Sequence, residues 1–206
     1  MSPWLLLLLP CLPTSYTSST FPCPTNPGER FPPSHRSVHQ LRPQDIGILA
    51  SLGDSITAGT GALASNILEV LDENRGSAYS TGADGDWRSC PSLYNYLRQY
   101  NPQLRGGSHG STRVIEIPFK RLGFGERGLN LSRSGAVTED LPGMAKTLIK
   151  MVKYIFSDPD QIQAIPGWRK QWKLVTILIG NNDQCGKSCI STFQRLGLSR
   201  YSGSII

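Results

Sequence analysis

Three short motifs in the chain carry residue types that could do chemistry. Gly53-Asp54-Ser55 offers a serine hydroxyl, which can act as a nucleophile. Residues 132–136 contain a glycine that permits a turn, and residues 180–183 offer two uncharged carboxamides and a carboxylate. Each motif by itself is ordinary turn or loop chemistry, so the fold must bring the three together.

A predicted strand precedes each of the three motifs. Ile46–Gly53 is a short apolar run that ends in glycine, and residues 174–179 form a second run that we predict to be a fully buried strand. Residues 129–131 are a shorter strand candidate. In parallel α/β sheets the working residues collect at the carboxyl ends of the strands. The motifs are therefore expected at one edge of a sheet.

Helical patterns alternate with these strands. Residues 91–100 begin with proline and predict a short helix, and residues 141–156 place their apolar side chains on one face of a longer helix. Residues 67–71 predict a helical turn or two, and residues 114–117 a further strand. Strands that alternate with helices predict a layered α/β sheet.

The three motifs, in this order, resemble the GDSL, or SGNH, family of lipases and esterases over residues 45–190. The matching blocks are residues 50–59, 130–138 and 179–185. Within the family, residues 82–87 and the pair Cys185/Cys189 resemble the phospholipase B branch. The resemblance implies an α/β three-layer sandwich around a mostly parallel sheet of the flavodoxin-like type.

The same resemblance implies serine-dependent hydrolysis of acyl esters in glycerophospholipids and related lipids. Ser55 would be the nucleophile, and the oxyanion hole would be lined by its own N–H, the N–H of Gly135 and the side-chain amide of Asn182. Neither a cofactor nor a metal is expected. The expected partners are a lipid ester, above all a phospholipid, and a membrane surface.

A catalytic base is missing from the family pattern in these 206 residues. The family's last block is D-x-x-H, whose His activates the serine and whose Asp orients the His. The histidines are His35, His39 and His109; none has Asp three positions earlier and none follows Asn182. Because a serine hydroxyl without a base is a poor nucleophile, we expect the 206-residue chain to have little or no activity.

Two functions from different classes therefore stay open. The first is an impaired phospholipase B-like hydrolase, and the second is a non-catalytic secreted module that binds lipid or a partner through the oxyanion side of the same fold. His109 lies in a glycine-rich loop and is not expected to replace the missing base. Ester turnover that depends on Ser55 would distinguish the two functions.

Three further patterns have ordinary explanations. Residues 106–110 match the nucleophile-elbow pattern G-x-S-x-G, but a strand candidate follows them and no strand precedes them, so we predict a loop. The glycosylation sequon at Asn130 lies inside the second block and is expected to be buried and unmodified. Asp84 and Asp86 predict a turn before the helix at 91–100 rather than a cation site.

The two ends of the chain differ in composition from its middle. Residues 1–20 contain the apolar stretch Trp4–Leu9 and predict a signal peptide, and residues 21–44 are proline-rich and predict an extended linker. Residues 45–190 form the partial hydrolase domain. Residues 191–206 match no family element, which favours truncation, alternative splicing or an incomplete gene model. The expected location is outside the cell, either secreted or at the extracellular face of the plasma membrane.

Composition and charge exclude several other classes. Charged residues make up 17% of the chain, against roughly 25% in typical soluble domains, and no apolar run has the length of a membrane span. Residues 164–206 carry most of the +6 net charge without a dense basic run, so no nucleic-acid partner is expected. Cys185 and Cys189 favour a local disulfide over a zinc site.

Overall fold

The computed structural model describes residues 20–23, 25, 37–113, 127–157 and 167–186. The strands in this part are β1 (Ile46–Gly53) and β2 (Trp172–Leu178), and the α-helices are α1 (Ser55–Ala58), α2 (Leu93–Tyr100) and α3 (Leu141–Ser157). Residues 181–186 are also helical. Short 3-10 helices span Val38–Gln40, Pro43–Asp45, Ile67–Glu69, Arg75–Ser77, Thr138–Asp140 and Trp168–Lys170.

Strand β1 lies in the middle of a parallel sheet. On one side it pairs in parallel with β2, in a register that sets Leu49 opposite Leu174 and Gly53 opposite Leu178. On its other side two short segments run parallel to it, and they meet it at the bridges Ile48–Arg105 and Ser51–Asn130. Every residue of β1 is buried, as predicted for a strand with neighbours on both sides.

Helices cover both faces of β1. Ile48, Ala50 and Leu52 pack on one face against the apolar stripe of α3, which is made of Met144, Leu148, Val152 and Ile155. Leu49 faces the other way and packs with Tyr94 and Leu97 of α2. The two sets alternate along β1 because successive strand residues point to opposite faces. This helix–sheet–helix arrangement confirms the predicted α/β class and its three layers.

The long helix and the first strand follow the prediction closely, whereas other elements differ. Helix α2 begins at Leu93, two residues later than predicted, because the Ser92 hydroxyl caps it by accepting the Asn95 N–H. The predicted helical turns at 67–71 reduce to the single 3-10 turn Ile67–Glu69. The strand predicted at 114–117 lies outside the described residues.

The prediction that residues 174–179 are fully buried is wrong. The side chains of Val175, Ile177 and Leu178 are exposed, with Ile177 at 58%. Strand β2 pairs with β1, and no other described strand flanks it. An apolar run on a strand indicates burial only when both of its faces are covered. Residues 129–131 likewise run parallel to β1 but form an isolated bridge rather than a regular strand.

Part of the segment predicted to be a linker lies against the domain. The ring of Phe21 meets the rings of Trp87 and Tyr100 edge-on, with centroid distances of 5.1 and 5.6 Å. Edge-to-face pairs of this kind stabilise by about 0.5–1.5 kcal/mol beyond their buried area. No helix in the described part of the chain is long and apolar enough to cross a membrane.

Candidate active site

The three sequence motifs meet at the carboxyl edge of the sheet. The carbonyl of Gly53, the last residue of β1, accepts the N–H of Arg133 at 3.0 Å. On the other side, the N–H of Asp54 donates to the carbonyl of Leu178, the last residue of β2, at 3.4 Å. Parallel strands end at the same edge, so the loops after β1, after residue 131 and after β2 become neighbours.

The first motif turns directly from strand into helix. The carboxylate of Asp54 is fully buried, and it caps α1 by accepting the Ile56 N–H at 3.0 Å. Ser55 is the first residue of α1, so its N–H is among those that have no acceptor within the helix. Its side chain is half-buried. Burial raises the pKa of the neighbouring Tyr79, and the negative charge of Asp54 adds to this rise.

The second motif places Gly135 in a conformation that favours glycine. Its φ is +79°, in the left-handed region, and apart from its chain neighbours no described atom lies within 4 Å of the position where a side chain would begin. The turn that contains it is closed by the Ala136 N–H, which donates to the Arg133 carbonyl at 3.1 Å. The backbone around Gly135 is therefore held in place and open on its outer side.

The third motif is tied to the other two by its own side chains. The Asn182 amide donates to the Ala136 carbonyl at 2.8 Å, next to Gly135, and the Asn181 amide donates to Asp54 at 3.0 Å, next to Ser55. The Asp183 carboxylate accepts the Thr138 N–H at 3.0 Å. A carboxamide carries two N–H groups. Asn182 therefore keeps a second donor while the first one fixes its position.

The structure thus brings the predicted site residues to one place through specific contacts. Gly135 and Asn182 lie side by side through Ala136, and Ser55 joins them through the Asp54–Asn181 bond. The sequence did not predict the anchoring role of Asn181. Its position one residue before Asn182, on a helix that starts at the strand end, is the signal that could have suggested it.

A buried charged network forms hydrogen bonds with the residues of the second motif, and no sequence motif indicated this network. Arg75 is 3% exposed and pairs with Glu73 at 2.7 Å. The same guanidinium donates to the carbonyls of Asn130 and Ser132, at 3.2 and 3.0 Å. Glu73 in turn accepts the Ser134 hydroxyl at 3.0 Å. One ion pair therefore holds the backbone that leads to Gly135.

The sequon asparagine belongs to this network and is buried as predicted. Asn130 is 0% exposed, and its amide donates to the Thr57 carbonyl of α1 at 2.8 Å. Its side-chain oxygen accepts the Ser132 hydroxyl and one N–H of Arg75. Asn130 thereby links the first and second motifs, and it is not accessible for glycosylation in the fold.

The histidines do not form a triad with Ser55 in the described residues. The Nδ1 atom of His109 lies 3.2 Å from a carboxylate oxygen of Asp84, and both side chains are exposed. His39 is exposed, and His35 lies outside the described residues. His109 therefore has an acidic partner of its own in a surface loop, and no described contact connects it to the serine.

The remaining sequence patterns have structural roles. Ser108 of the G-x-S-x-G match is fully buried, and its hydroxyl donates to the Arg127 carbonyl at 2.7 Å, so the match is not an exposed nucleophile. Asp86 accepts the N–H groups of Arg88 and Ser89, both at 2.9 Å, as the predicted turn requires. The prediction of a local disulfide at Cys185 is wrong, because Cys185 carries a free, exposed thiol.

Comparisons with known proteins show the family of the chain. The family model of the GDSL-like lipases and acylhydrolases matches residues 49–198, which include all three motifs. No solved structure matches the chain.

Three curated relatives share the name phospholipase B1, membrane-associated. The mouse protein is 34% identical over 83% of this chain, the rat protein 37% over 82% and the human protein 35% over 79%. The aligned part is 11% of the mouse protein and 10% of each of the other two, so the chain spans about a tenth of the length of these relatives. Because the family model covers well over half of the residues, the chain belongs to the GDSL-like lipase/acylhydrolase family of carboxylic ester hydrolases.

Proposed function

We propose that the site acts on acyl esters of phospholipids, with Ser55 as the nucleophile. Its Oγ would form a bond to the ester carbonyl carbon, and the N–H groups of Ser55 and Gly135 with the Asn182 amide would receive the oxyanion. Expulsion of the alcohol would leave an acyl-serine, which water would then hydrolyse to release the acid. The observation that carries this proposal is the Asn182 amide held 2.8 Å from the Ala136 carbonyl, beside Gly135.

We also propose that these 206 residues catalyse the reaction weakly. The serine proton must leave during the attack, and an imidazole oriented by a carboxylate is the group that takes it in a complete triad. The chain has no D-x-x-H motif. Water would then have to accept the proton, and loss of a triad histidine costs about six orders of magnitude in kcat in a related chemistry.

Reporter-ester hydrolysis by the wild-type chain and by Ser55→Ala tests this weak activity. We expect the two rates to lie within a few-fold of each other and far below the rate of a complete triad, because the proposed oxyanion donors alone lack an activated nucleophile. Ser111→Ala is the matched control, since Ser111 is an exposed loop serine that belongs to none of the three motifs. Robust turnover that Ser55→Ala abolishes and Ser111→Ala keeps would contradict the proposed impairment.

Contact with a membrane surface, which the non-catalytic alternative also requires, is supported by a separate observation, an exposed apolar loop beside the site. Residues 59–74, which we call the apolar loop, follow α1, and two backbone hydrogen bonds close the loop at its base. The Gly61 N–H donates to the Asp72 carbonyl at 2.8 Å, and the Asn74 N–H to the Gly59 carbonyl at 3.1 Å. Five large apolar side chains are exposed on this loop: Leu63, Ile67, Leu68, Val70 and Leu71.

The tip of the apolar loop is suited to contact with a lipid surface. Ile67 and Leu68 are each 82% exposed. Polar groups at the tip are already bonded within the loop: the Asn66 side chain accepts the Leu68 N–H at 3.0 Å, and Glu69 accepts the Ser65 N–H at 2.8 Å. Such internal bonding lowers the cost of moving a loop into a less polar medium. Either proposed function would use this contact with a membrane surface.

Replacing the two apolar residues at the tip should weaken binding to lipid vesicles. We expect Ile67→Ser/Leu68→Ser to lower the fraction bound to phosphatidylcholine vesicles at least about tenfold, because each buried side chain contributes roughly 1.5–3 kcal/mol. Co-sedimentation measures this fraction. Ile149→Ser/Tyr154→Ser is the matched control, since both residues are exposed on α3. Equal losses in the two double variants would contradict a role for the apolar loop.

A further inference from the structure

A cavity of about 440 Å³ lies alongside the second motif, on the side of the buried charged network. Among the described residues, five charged side chains line it: Glu73, Arg75, Arg127, Arg133 and Asp140. These three cations and two anions leave one positive charge in excess. Since a liquid water molecule occupies roughly 30 Å³, the cavity has room for a polar group much larger than a single water.

Four of the five charges are already paired with one another. Arg75 and Glu73 form the buried pair at 2.7 Å, and Arg133 and Asp140 form a second pair at 2.7 Å. Arg127 has no ion-pair partner in the described part of the chain, and its Nε is buried without a hydrogen bond there. The excess positive charge of the cavity therefore belongs to Arg127.

The backbone of Arg127 is held in place, and no other described residue neutralises its charge. Its carbonyl accepts the Ser108 hydroxyl at 2.7 Å and the Asn130 N–H at 3.2 Å. Burial lowers the pKa of Arg127, the positive charge of Arg75 lowers it further, and Glu73 opposes both effects. An arginine nevertheless stays protonated in proteins. A half-buried cation that no described residue neutralises is costly, and an anion in the cavity would offset that cost.

The cavity adjoins the proposed oxyanion site. Arg133 lines it, and Gly135 follows two residues later. Consecutive Cα atoms are 3.8 Å apart, so the Cα atoms of these two residues are separated by no more than about 7.6 Å. In a glycerophospholipid, only a few bonds separate the phosphate from the ester carbonyls. One substrate molecule is therefore able to reach both places.

We propose that this cavity binds the phosphodiester group of the phospholipid substrate, with Arg127 as its main cationic contact. The inference rests on the proposed function and adds to it the part of the substrate that is recognised. Guanidinium groups bind phosphate oxygens through paired, charge-assisted N–H donors. The phosphate would be held next to the second motif while an acyl carbonyl lies at Ser55.

Calorimetric titration of the full chain tests this site without any requirement for turnover. The probes are sn-glycero-3-phosphocholine, a soluble phosphodiester, and inorganic phosphate. We expect Arg127→Gln to weaken phosphodiester binding about 10- to 100-fold, because a hydrogen bond to a charged group contributes about 1.5–3 kcal/mol. Arg98→Gln, an exposed arginine on α2, should bind as the wild type does. Arg127→Lys, which keeps the charge, should lose less affinity than Arg127→Gln.

The outcomes of this titration distinguish failure of the phosphodiester site from failure of the proposed ester hydrolysis. Equal affinity of Arg127→Gln and the wild type would overturn the site, and binding of inorganic phosphate without the phosphodiester would overturn its assignment to a lipid headgroup. Ser55→Ala should bind the phosphodiester with unchanged affinity. If the phosphodiester binds through Arg127 but no form of the site cleaves esters through Ser55, the proposed function fails and the binding site stands.

Discussion

Joining residues 1–190 to a family-type segment that carries D-x-x-H should raise the rate of ester hydrolysis by about four orders of magnitude or more. The reason is that the added His would take the proton of Ser55 during attack, while the added Asp would hold the His in the required orientation. The donors of the site are already fixed by the Asp54–Asn181 and Asn182–Ala136 bonds. The chimera would therefore differ from the 206-residue chain only in having a group that accepts the proton of Ser55.

The measurement is kcat/KM on a soluble reporter ester for the chimera and for the 206-residue chain. Two control variants separate the contributions: Ser55→Ala in the chimera removes the nucleophile, and replacing the added His by Ala removes the base. Both should return the rate to that of the original chain. A chimera that stays active with Ser55→Ala would refute the choice of nucleophile, whereas a folded chimera with no gain would show that the base is not what limits the chain.

Features that depend on local pattern were predictable from the sequence. Strand β1 is a continuous apolar run, and α3 places Met144, Leu148 and Val152 on one stripe, so both elements follow from their own residues. The family resemblance implied Gly135 and Asn182 as parts of one site, and the rule that motifs after parallel strands meet at one edge predicts that they lie close together. In the structure, the bond from Asn182 to Ala136 joins these two motifs.

Features that depend on distant neighbours were not predictable. The burial of β2 depends on which segments cover its faces, and its apolar residues do not encode that information. The same holds for Arg75, whose partners Asn130 and Ser132 are more than fifty residues away along the chain. A charged residue is usually exposed, so the residue type of Arg75 gives no indication of its buried network.

Removing the Arg75 side chain should destabilise the fold by about 3–5 kcal/mol, because it leaves the carboxylate of Glu73 buried and unpaired. Glu73 is 4% exposed, so its carboxylate has little contact with bulk water when its partner is lost. Arg75→Leu would also free the Asn130 and Ser132 carbonyls from their only guanidinium donor among the described residues. Urea unfolding monitored by circular dichroism measures the loss of free energy of unfolding.

Arg88→Leu is a closely matched control for Arg75→Leu. Arg88 pairs with Asp86, which also lies two residues earlier in the chain, but that pair is 3.3 Å long and its side chains are 33% and 49% exposed. An exposed pair contributes about 0–1 kcal/mol, so Arg88→Leu should cost little. The double variant Arg75→Leu/Glu73→Gln should lose less than Arg75→Leu alone, since it leaves no buried charge unpaired. Similar losses of free energy of unfolding in Arg75→Leu and Arg88→Leu would contradict this prediction, because they would show that burial does not set the strength of the Arg75–Glu73 pair. The turn closed by Ala136 and Arg133 would then be what holds Gly135 in place.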